Sequence, residues 1–435
     1  MASGIQSIQH VSLPVLMLTA GMIFLITLGI NRFAPKFGVP AILGVLLFGL
    51  LLPEELTPFS RQQISDLQTF NLSMLLFYAG LSTEIRAIRG FLRYGLLLSV
   101  GGVVITTLVL GVCIWFLASP TGNAVQLGTG QLPLAIGMLV ASCLGSTDAG
   151  ATLSVLNQVR RHVPKRLRDL LEFESSLNDP AAILMLGMVL GITSIGASPD
   201  TSQVILGQVK VFMQSIATGG VIGILVGYLA RFSVNRIVTD RNQLLVLGLS
   251  NALIGYGLAE VMGGSGFIAT YVAGMVLSNH DYSNRLIGPE ALRNALEPFN
   301  TMTEITVFFL FGLAMSPEKI LFSLPLGLAT ALVMIVLARP VGVLLLQPFS
   351  PFNWREALLI SWCGLRGAVP LALTHELVEK LDTVRGVSLD QAEALGRSIE
   401  GVVFTCVVLN LLVQGLSLPA LCRRLRLTQQ EQPEG

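Results

Sequence analysis

Long apolar stretches alternate with short polar loops along most of the chain. Each stretch is judged against the ~20 apolar residues that a helix needs to cross a bilayer. About thirteen helices are predicted, near residues 12–31, 39–52, 69–82, 94–118, 132–156, 170–193, 206–230, 243–261, 264–279, 301–316, 322–347, 356–379 and 396–422. The pattern therefore predicts an all-α polytopic membrane protein.

Composition supports the same fold class. Of the 435 residues, 52% are hydrophobic and 12% are charged, and the mean hydropathy is +0.72. A soluble domain carries about 25% charged residues, so the chain has roughly half the usual surface chemistry. The five cysteines are scattered, mostly inside apolar runs, and are interpreted as small hydrophobic residues. The first span, from about Ser12, lacks signal-peptide features and is expected to be retained.

Basic residues concentrate in alternate loops, which predicts the orientation in the membrane. Loops 119–131 and 194–205 contain none, and loop 53–66 contains only Arg61. The other side carries the clusters at 86–93, 160–168, 231–241 and 423–426. We predict an outside N-terminus and a cytoplasmic C-terminus with a short tail at 427–435, in a bacterial inner membrane. Because no folded domain displays the basic residues, nucleic-acid binding is not expected.

A polar stretch at 172–180 interrupts the apolar pattern inside one predicted span. A carboxylate at bilayer depth costs at least ~2.5–3.5 kcal/mol on insertion scales, so an intramembrane acid indicates a functional site. Ser175 and Asp179 are one helical turn apart on one face, and Glu174 and Asn178 share the neighbouring face. Hydroxyl and carboxylate oxygens that meet at one place suit a small cation or a proton.

Two further spans contain charged residues between helix-breaking residues. Asp148 lies between Gly145 and Gly150, and Arg366 lies in a segment, 364–370, with two glycines and a proline. Small residues could instead mark a tight helix crossing, but packing does not need a carboxylate. The breaks fall in the fifth and twelfth spans, as expected of two inverted six-helix halves around a seventh helix.

Arg366 cannot lose its charge, so it needs a buried partner or water. Glu174 is the best candidate, which leaves Asp179 and Asp148 free to titrate. Two other charged residues are expected to play lesser roles. Glu304 is interpreted as an interfacial acid near a helix end. Arg339 is expected to snorkel toward the cytoplasmic face or to pair locally.

Four motifs together resemble the monovalent cation/proton antiporters. They are Gly-Ser-Thr-Asp at 145–148, Glu-Ser-Ser-Leu-Asn-Asp-Pro at 174–180, Gly-Phe-Ile-Ala-Thr-Tyr-Val-Ala-Gly at 266–274 and Gly-Leu-Arg-Gly-Ala-Val-Pro at 364–370. Within that superfamily the chain is similar to the NhaP-like, electroneutral branch. The resemblance covers nearly the whole chain, in order.

The resemblance implies thirteen helices, a homodimer, and a core domain that slides against a dimerisation scaffold. We assign residues 69–193 and 301–422 to the core and 12–52 and 206–279 to the scaffold. Asp179 matches the family's ion-binding aspartate, and Asn178 matches the asparagine before it. The matches to the remaining site residues are Ser175 as a side-chain ligand, Thr147 as a carbonyl ligand beside Asp148, and Glu174 with Arg366 as a structural ion pair.

One position departs from the family pattern. Relatives often carry an acid in the third span, where this chain has Tyr78. A coordination shell of three acids is therefore not expected, although the Tyr78 hydroxyl could line the site.

The expected function is secondary active exchange of Na⁺, or alternatively K⁺, for H⁺ at Asp179, with one cation per proton implied by the resemblance. No cofactor is expected beyond the transported ions, and the partners are these ions and membrane lipid. An alternative function, sodium-coupled uptake of an organic anion, would need basic groups where the two interrupted spans cross. An intramembrane aspartyl protease could use Asp148 and Asp179 as a dyad, but its Gly-x-Gly-Asp context is missing. We therefore expect a transporter and not an enzyme.

Overall fold

The computed structural model describes residues 13–33, 41–52, 61–118, 134–159, 162–195, 201–282, 288–384, 387–425 and 427. The predicted cytoplasmic tail, apart from Leu427, lies outside the described residues. So do the predicted loop 119–131 and the first part of loop 53–66.

The described residues form fifteen main helices. In chain order they are α1 (Leu13–Phe33), α2 (Ala41–Leu51), α3 (Arg61–Ser82), α4 (Leu92–Leu117), α5 (Leu134–Cys143), α6 (Ala149–Gln158), α7 (Lys165–Ile195), α8 (Thr201–Arg236), α9 (Gln243–Val261), α10 (Gly266–Ser278), α11 (Pro289–Leu313), α12 (Pro317–Phe349), α13 (Trp354–Trp362), α14 (Ala368–Glu379) and α15 (Leu389–Leu425).

The prediction of about thirteen spans is confirmed. Helices α5 and α6 are the halves of one interrupted span, and α13 and α14 are the halves of another. Six helices among the described residues have the length and hydropathy to cross a bilayer, and four shorter apolar helices accompany them. Helices α3, α11 and α15 begin earlier than predicted, at Arg61, Pro289 and Leu389. Hydropathy finds only the apolar part of a helix, and these first turns are polar.

Close helix contacts relate the two halves of the chain. Helix α2 packs on α11 and helix α3 packs on α10. A Cβ atom on Gly49 of α2 or Gly312 of α11 would overlap a main-chain carbonyl of the other helix. The same holds for Gly80 of α3 and Gly274 of α10. In an inverted repeat, the contact of the second span with the tenth is equivalent to the contact of the third span with the ninth.

The fourth and eleventh spans repeat a second feature. Each contains one π-helical segment, Leu97–Gly101 in α4 and Met334–Ala338 in α12. Such segments widen one turn of a helix and occur frequently at functional sites. Their matching places in the two halves agree with the inverted repeat.

The helices pack as two groups. We define the scaffold group as α1–α3 and α8–α11, and the core group as α4–α7 and α12–α15. One hydrophobic cluster joins α3 to α8, α9, α10 and α11 through buried residues such as Phe77, Ile222, Ala252 and Ala273. Residues 69–82 and 301–313, which the sequence assigns to the core, contact the scaffold helices α10 and α2 closely. The buried apolar residues of 307–313 also belong to the hydrophobic cluster of the core helices, and the predicted division of the chain stays a prediction.

The glycine contacts give a test of the scaffold. We expect Gly274→Ala to destabilise the protein by about 1–3 kcal/mol, because the added methyl group forces α3 and α10 apart. Gly257→Ala is the matched control, since a Cβ atom on this glycine of α9 would have no atom within 4 Å. Thermal unfolding in detergent measures both variants. Equal stability of the two variants would contradict the proposed close packing.

Candidate functional site

The two interrupted spans cross where their helices end. The main-chain N–H of Asp148 donates to the carbonyl of Leu365 over 2.7 Å. The N–H of Arg366 donates to Oδ1 of Asn410, on α15, over 2.8 Å. An interrupted helix leaves backbone groups that need partners, and bilayer hydrocarbon supplies none. The crossing therefore supplies some of the missing partners.

Arg366 binds the break that follows the C-terminal end of α5. Its Nη1 donates to the carbonyl of Gly145 over 2.9 Å and also to the carbonyl of Ser146. The C-terminal end of a helix is negative, so a guanidinium stabilises it. The expected ion pair between Arg366 and Glu174 is wrong, because the guanidinium binds these carbonyls and Glu174 has another partner.

Glu174 pairs with Arg339, which follows the π segment of α12. Nη1 and Nη2 of Arg339 each lie 2.9 Å from a carboxylate oxygen of Glu174. The exposed fractions of the two side chains are 4% for Arg339 and 1% for Glu174. Arg339 therefore does not snorkel to the surface or pair locally, and that expectation is wrong. Sequence spacing alone cannot tell which of two intramembrane arginines faces Glu174.

Asn178 connects α7 to the break between α5 and α6. Its Nδ2 donates to Thr147 Oγ1 over 2.6 Å and to Glu174 Oε1 over 2.9 Å. Its Oδ1 accepts the N–H of Thr147 over 3.0 Å. The hydroxyl of Ser175 lies 2.9 Å from the hydroxyl of Thr147. In this conformation Ser175 and Asn178 therefore hold Thr147 in place.

Asp148 begins helix α6. Its Oδ1 accepts the N–H of Ala151 over 2.8 Å, as the N-cap residue of that helix. The second break approaches the same carboxylate so closely that a Cβ atom on Gly367 would overlap it. Glycine at 367 is therefore what allows the N-terminus of α14 to lie against this acid.

A cavity of about 170 Å³ lies beside the crossing. Four of the residues predicted from the sequence line it, namely Asp179, Asp148, Thr147 and Tyr78. The other predicted residues are fully buried outside its described lining, namely Ser175, Asn178, Glu174 and Arg366. The described lining includes four carboxylates (Asp148, Glu172, Asp179 and Glu304) and no lysine or arginine.

Asp179 and Ser146 face each other in this cavity. The Ser146 hydroxyl lies beside the Asp179 carboxylate, but it makes no hydrogen bond of standard geometry to a described residue. Among the residues that the structure describes, Asp179 makes no ion pair. The carboxylate is thus available to a cation or a proton.

The position predicted for Glu304 is wrong. It is expected at the membrane interface, but it lies on the cavity wall, well before the end of α11 at Leu313. Asn300, one helical turn earlier on the same face, lines the cavity too. This spacing of two polar residues within α11 is the signal that could have identified it.

A second cavity borders the first. It shares Ser82 and Glu172 with the first cavity, and its lining includes four further charged residues, namely Glu84, Lys165, Asp169 and Arg293. Lys165 belongs to the basic cluster at 160–168, on the side of the membrane that the sequence predicts to be cytoplasmic. The two cavities thus extend from the crossing toward that side.

This architecture defines a class of protein. Inverted repeats with broken helices that cross beside a polar cavity are typical of secondary transporters. The family described as sodium/hydrogen exchanger, transmembrane, matches residues 21–424, and the chain belongs to this family. The expected resemblance is confirmed.

The names of two similar proteins agree with this assignment. The K(+)/H(+) antiporter NhaP2 of Shewanella oneidensis is 30% identical over 402 residues, which are 91% of this chain and 64% of that protein. The Na(+)/H(+) antiporter NhaS2 of a Synechocystis species is 26% identical over 399 residues, which are 90% of this chain and 67% of that protein. The chain thus spans only about two thirds of the length of these relatives.

A solved structure shares the fold. The sodium proton antiporter MjNhaP1 from Methanocaldococcus jannaschii superposes with a TM-score of 0.78 at 20% sequence identity. The superposition covers 95% of this chain and 99% of that chain.

The corrected ion pair can be tested by a double-mutant cycle. We expect Arg339→Ala to cost about 3–5 kcal/mol of stability, because it leaves the Glu174 carboxylate buried and unpaired. Adding Glu174→Gln should recover much of this loss. Thermal unfolding of the single and double variants gives the coupling energy. The same cycle with Arg366→Ala is the comparison, and a larger coupling of Glu174 to Arg366 would show that the pairing is misassigned.

Proposed function

We propose that the protein exchanges a monovalent cation, Na⁺ or K⁺, for H⁺ at the carboxylate of Asp179. The observation that carries the proposal is the place of this carboxylate, on a cavity beside two broken helices and without an ion-pair partner among the described residues. Membership in the exchanger family supports it.

One carboxylate can hold a cation or a proton but not both. If the site opens alternately to the two sides of the membrane, this competition alone couples the two fluxes. We propose electroneutral exchange, with one proton for each monovalent cation. From the sequence, Na⁺ is the first candidate for the transported cation. Relatives are named for K⁺ and for Na⁺, so both ions have to be compared.

Three residues are proposed to bind the cation: Asp179, Ser175 and Thr147. Thr147 and Asp179 line the cavity. Ser175 bonds to the Thr147 hydroxyl in this conformation, so its oxygen would have to be shared with the ion. Asp148 is proposed as a neighbouring charge, and Asn178 as the residue that positions Thr147.

Alternating access is proposed to come from movement of the core group against the scaffold group. Asp148 and Asp179 belong to core helices, and Tyr78 and Glu304 face them from scaffold helices. We propose that the conformation described here opens toward the cytoplasm, where basic residues concentrate. A homodimer in a bacterial inner membrane, held together by the scaffold group, is part of the same proposal.

An anionic substrate is disfavoured by the charge of the cavity. Its described lining has four carboxylates and no basic side chain. Arg366 and Arg339, which could have bound an anion, are engaged with helix carbonyls and with Glu174. The cavity therefore suits a cation.

The test is transport in proteoliposomes that hold a pH gradient reported by a dye. We expect Na⁺ or K⁺ to dissipate the gradient, and Asp179→Asn to abolish this response at unchanged expression, because the neutral amide cannot exchange a proton. Li⁺ is added in a third arm. Asp240→Asn, at an exposed turn, is the matched control and should transport normally.

The arms separate the alternatives. A response to Na⁺ and Li⁺ alone identifies a sodium/proton exchanger, and a response to K⁺ identifies a potassium/proton exchanger. If none of the three ions dissipates the pH gradient with the wild-type protein, cation/proton exchange is refuted. Transport by Asp179→Asn would refute the assigned site and leave the activity standing.

A further inference from the structure

Glu304 is a carboxylate of the scaffold group that faces the core group across the cavity. Its Oε1 lies 3.2 Å from the position that a Cβ atom would occupy on Gly150, and Oδ1 of Asp148 lies 3.3 Å from the same position. The two carboxylates therefore flank one small space above Gly150. A side chain at 150 would fill that space.

Within the described part of the chain, Glu304 has no ion-pair partner. Its position deep in α11 makes an unpaired charge costly, so the group needs either a bound cation or a proton. The side-chain amide oxygen of Asn300 (Oδ1), one turn earlier, is also buried without a hydrogen-bond partner among the described residues. Two oxygen groups of α11 thus face the cavity without a partner in the described protein.

A structural role explains these contacts poorly. Two acids among the described residues have basic partners in the packing of the helices: Glu174 has Arg339 and Glu400 has Lys319. Glu304 instead has another carboxylate, Asp148, as its charged neighbour. Like charges repel each other unless a cation or a proton lies between them.

We propose that Glu304, assisted by the side-chain amide oxygen of Asn300, is a cation-attracting residue of the transport pathway that acts only while the cavity is open as seen here. This inference rests on the proposed exchange at Asp179. In this conformation Asp148, Asp179 and Glu304 do not form one compact metal-binding cluster within the described chain. Glu304 therefore acts beside the Asp179 site, by lowering the energy of a cation in the cavity, and is not one of its ligands.

The two packing groups make this effect one-sided. Glu304 belongs to the scaffold group, and Asp148 and Asp179 belong to the core group. If the core group moves as one body, as proposed above, the distance from Glu304 to the site changes, whereas the distance between Asp148 and Asp179 stays the same. Glu304 should therefore strengthen cation binding from the side to which this cavity opens and have little effect from the other side.

The test measures the KM for the transported cation from each side of the membrane. Vesicles of both orientations carry the wild type, Glu304→Gln, Glu304→Asp or Asn300→Ala. We expect Glu304→Gln to raise the KM about tenfold from the cavity side and to leave it within about twofold from the other side, because a carboxylate near the ion loses its charge. Glu304→Asp keeps the charge and should recover most of the affinity, and Asn300→Ala should raise the KM less.

Glu290→Gln is the matched control, because it removes an exposed carboxylate from the first turn of the same helix. Its KM should equal that of the wild type on both sides. An unchanged KM in Glu304→Gln, or an equal rise on both sides, would overturn the proposal for Glu304 while wild-type exchange continues. Loss of thermal stability in Glu304→Gln that Glu304→Asp does not recover would assign Glu304 a structural role. Absence of exchange in the wild type would instead contradict the proposed function itself.

Discussion

The structure depends on partners for backbone groups that two interrupted helices expose at bilayer depth. The hydrocarbon of the bilayer offers these groups no hydrogen-bond partners, so the protein must supply the partners itself. Arg366 supplies donors to two carbonyls of the break after α5, and Asn410 and Leu365 supply acceptors for N–H groups of the two breaks. The same requirement brings Asp148 and the N-terminus of α14 together, with Gly367 as the residue that permits the contact. The polar cavity is thus a product of how the breaks are stabilised.

A second layer of contacts holds the functional helix α7 against the first break. Asn178 bonds to both Thr147 and Glu174, and Glu174 is in turn fixed by two bonds from Arg339. These residues are almost fully buried. A rigid chain of contacts therefore runs from α12 through α7 to the break. This arrangement leaves Asp179, the next residue of α7, facing the cavity without a fixed partner, which is the condition that reversible ion binding needs.

The sequence predicts the spans and the breaks well because both are local properties. Apolar length locates the helices, and glycines around Asp148 and Arg366 locate the interruptions. The partner of Glu174 is not local: two arginines lie inside spans, and only the packing of α12 on the core decides between Arg339 and Arg366. Glu304 is misjudged for a related reason, since hydropathy places the start of α11 near residue 301, whereas the helix begins at Pro289. Helices α3 and α11 each pack on a helix far away in the chain, and no local sequence pattern predicts such a contact.

The glycine contacts of the scaffold bear on how the protein is made. Helices α2 and α3 come from the first half of the chain, and their close-packing partners, α11 and α10, come from the second half. During synthesis the first half therefore enters the membrane before the native partners of these two glycine faces have been made. The native packing of the scaffold is completed only when the later helices are inserted.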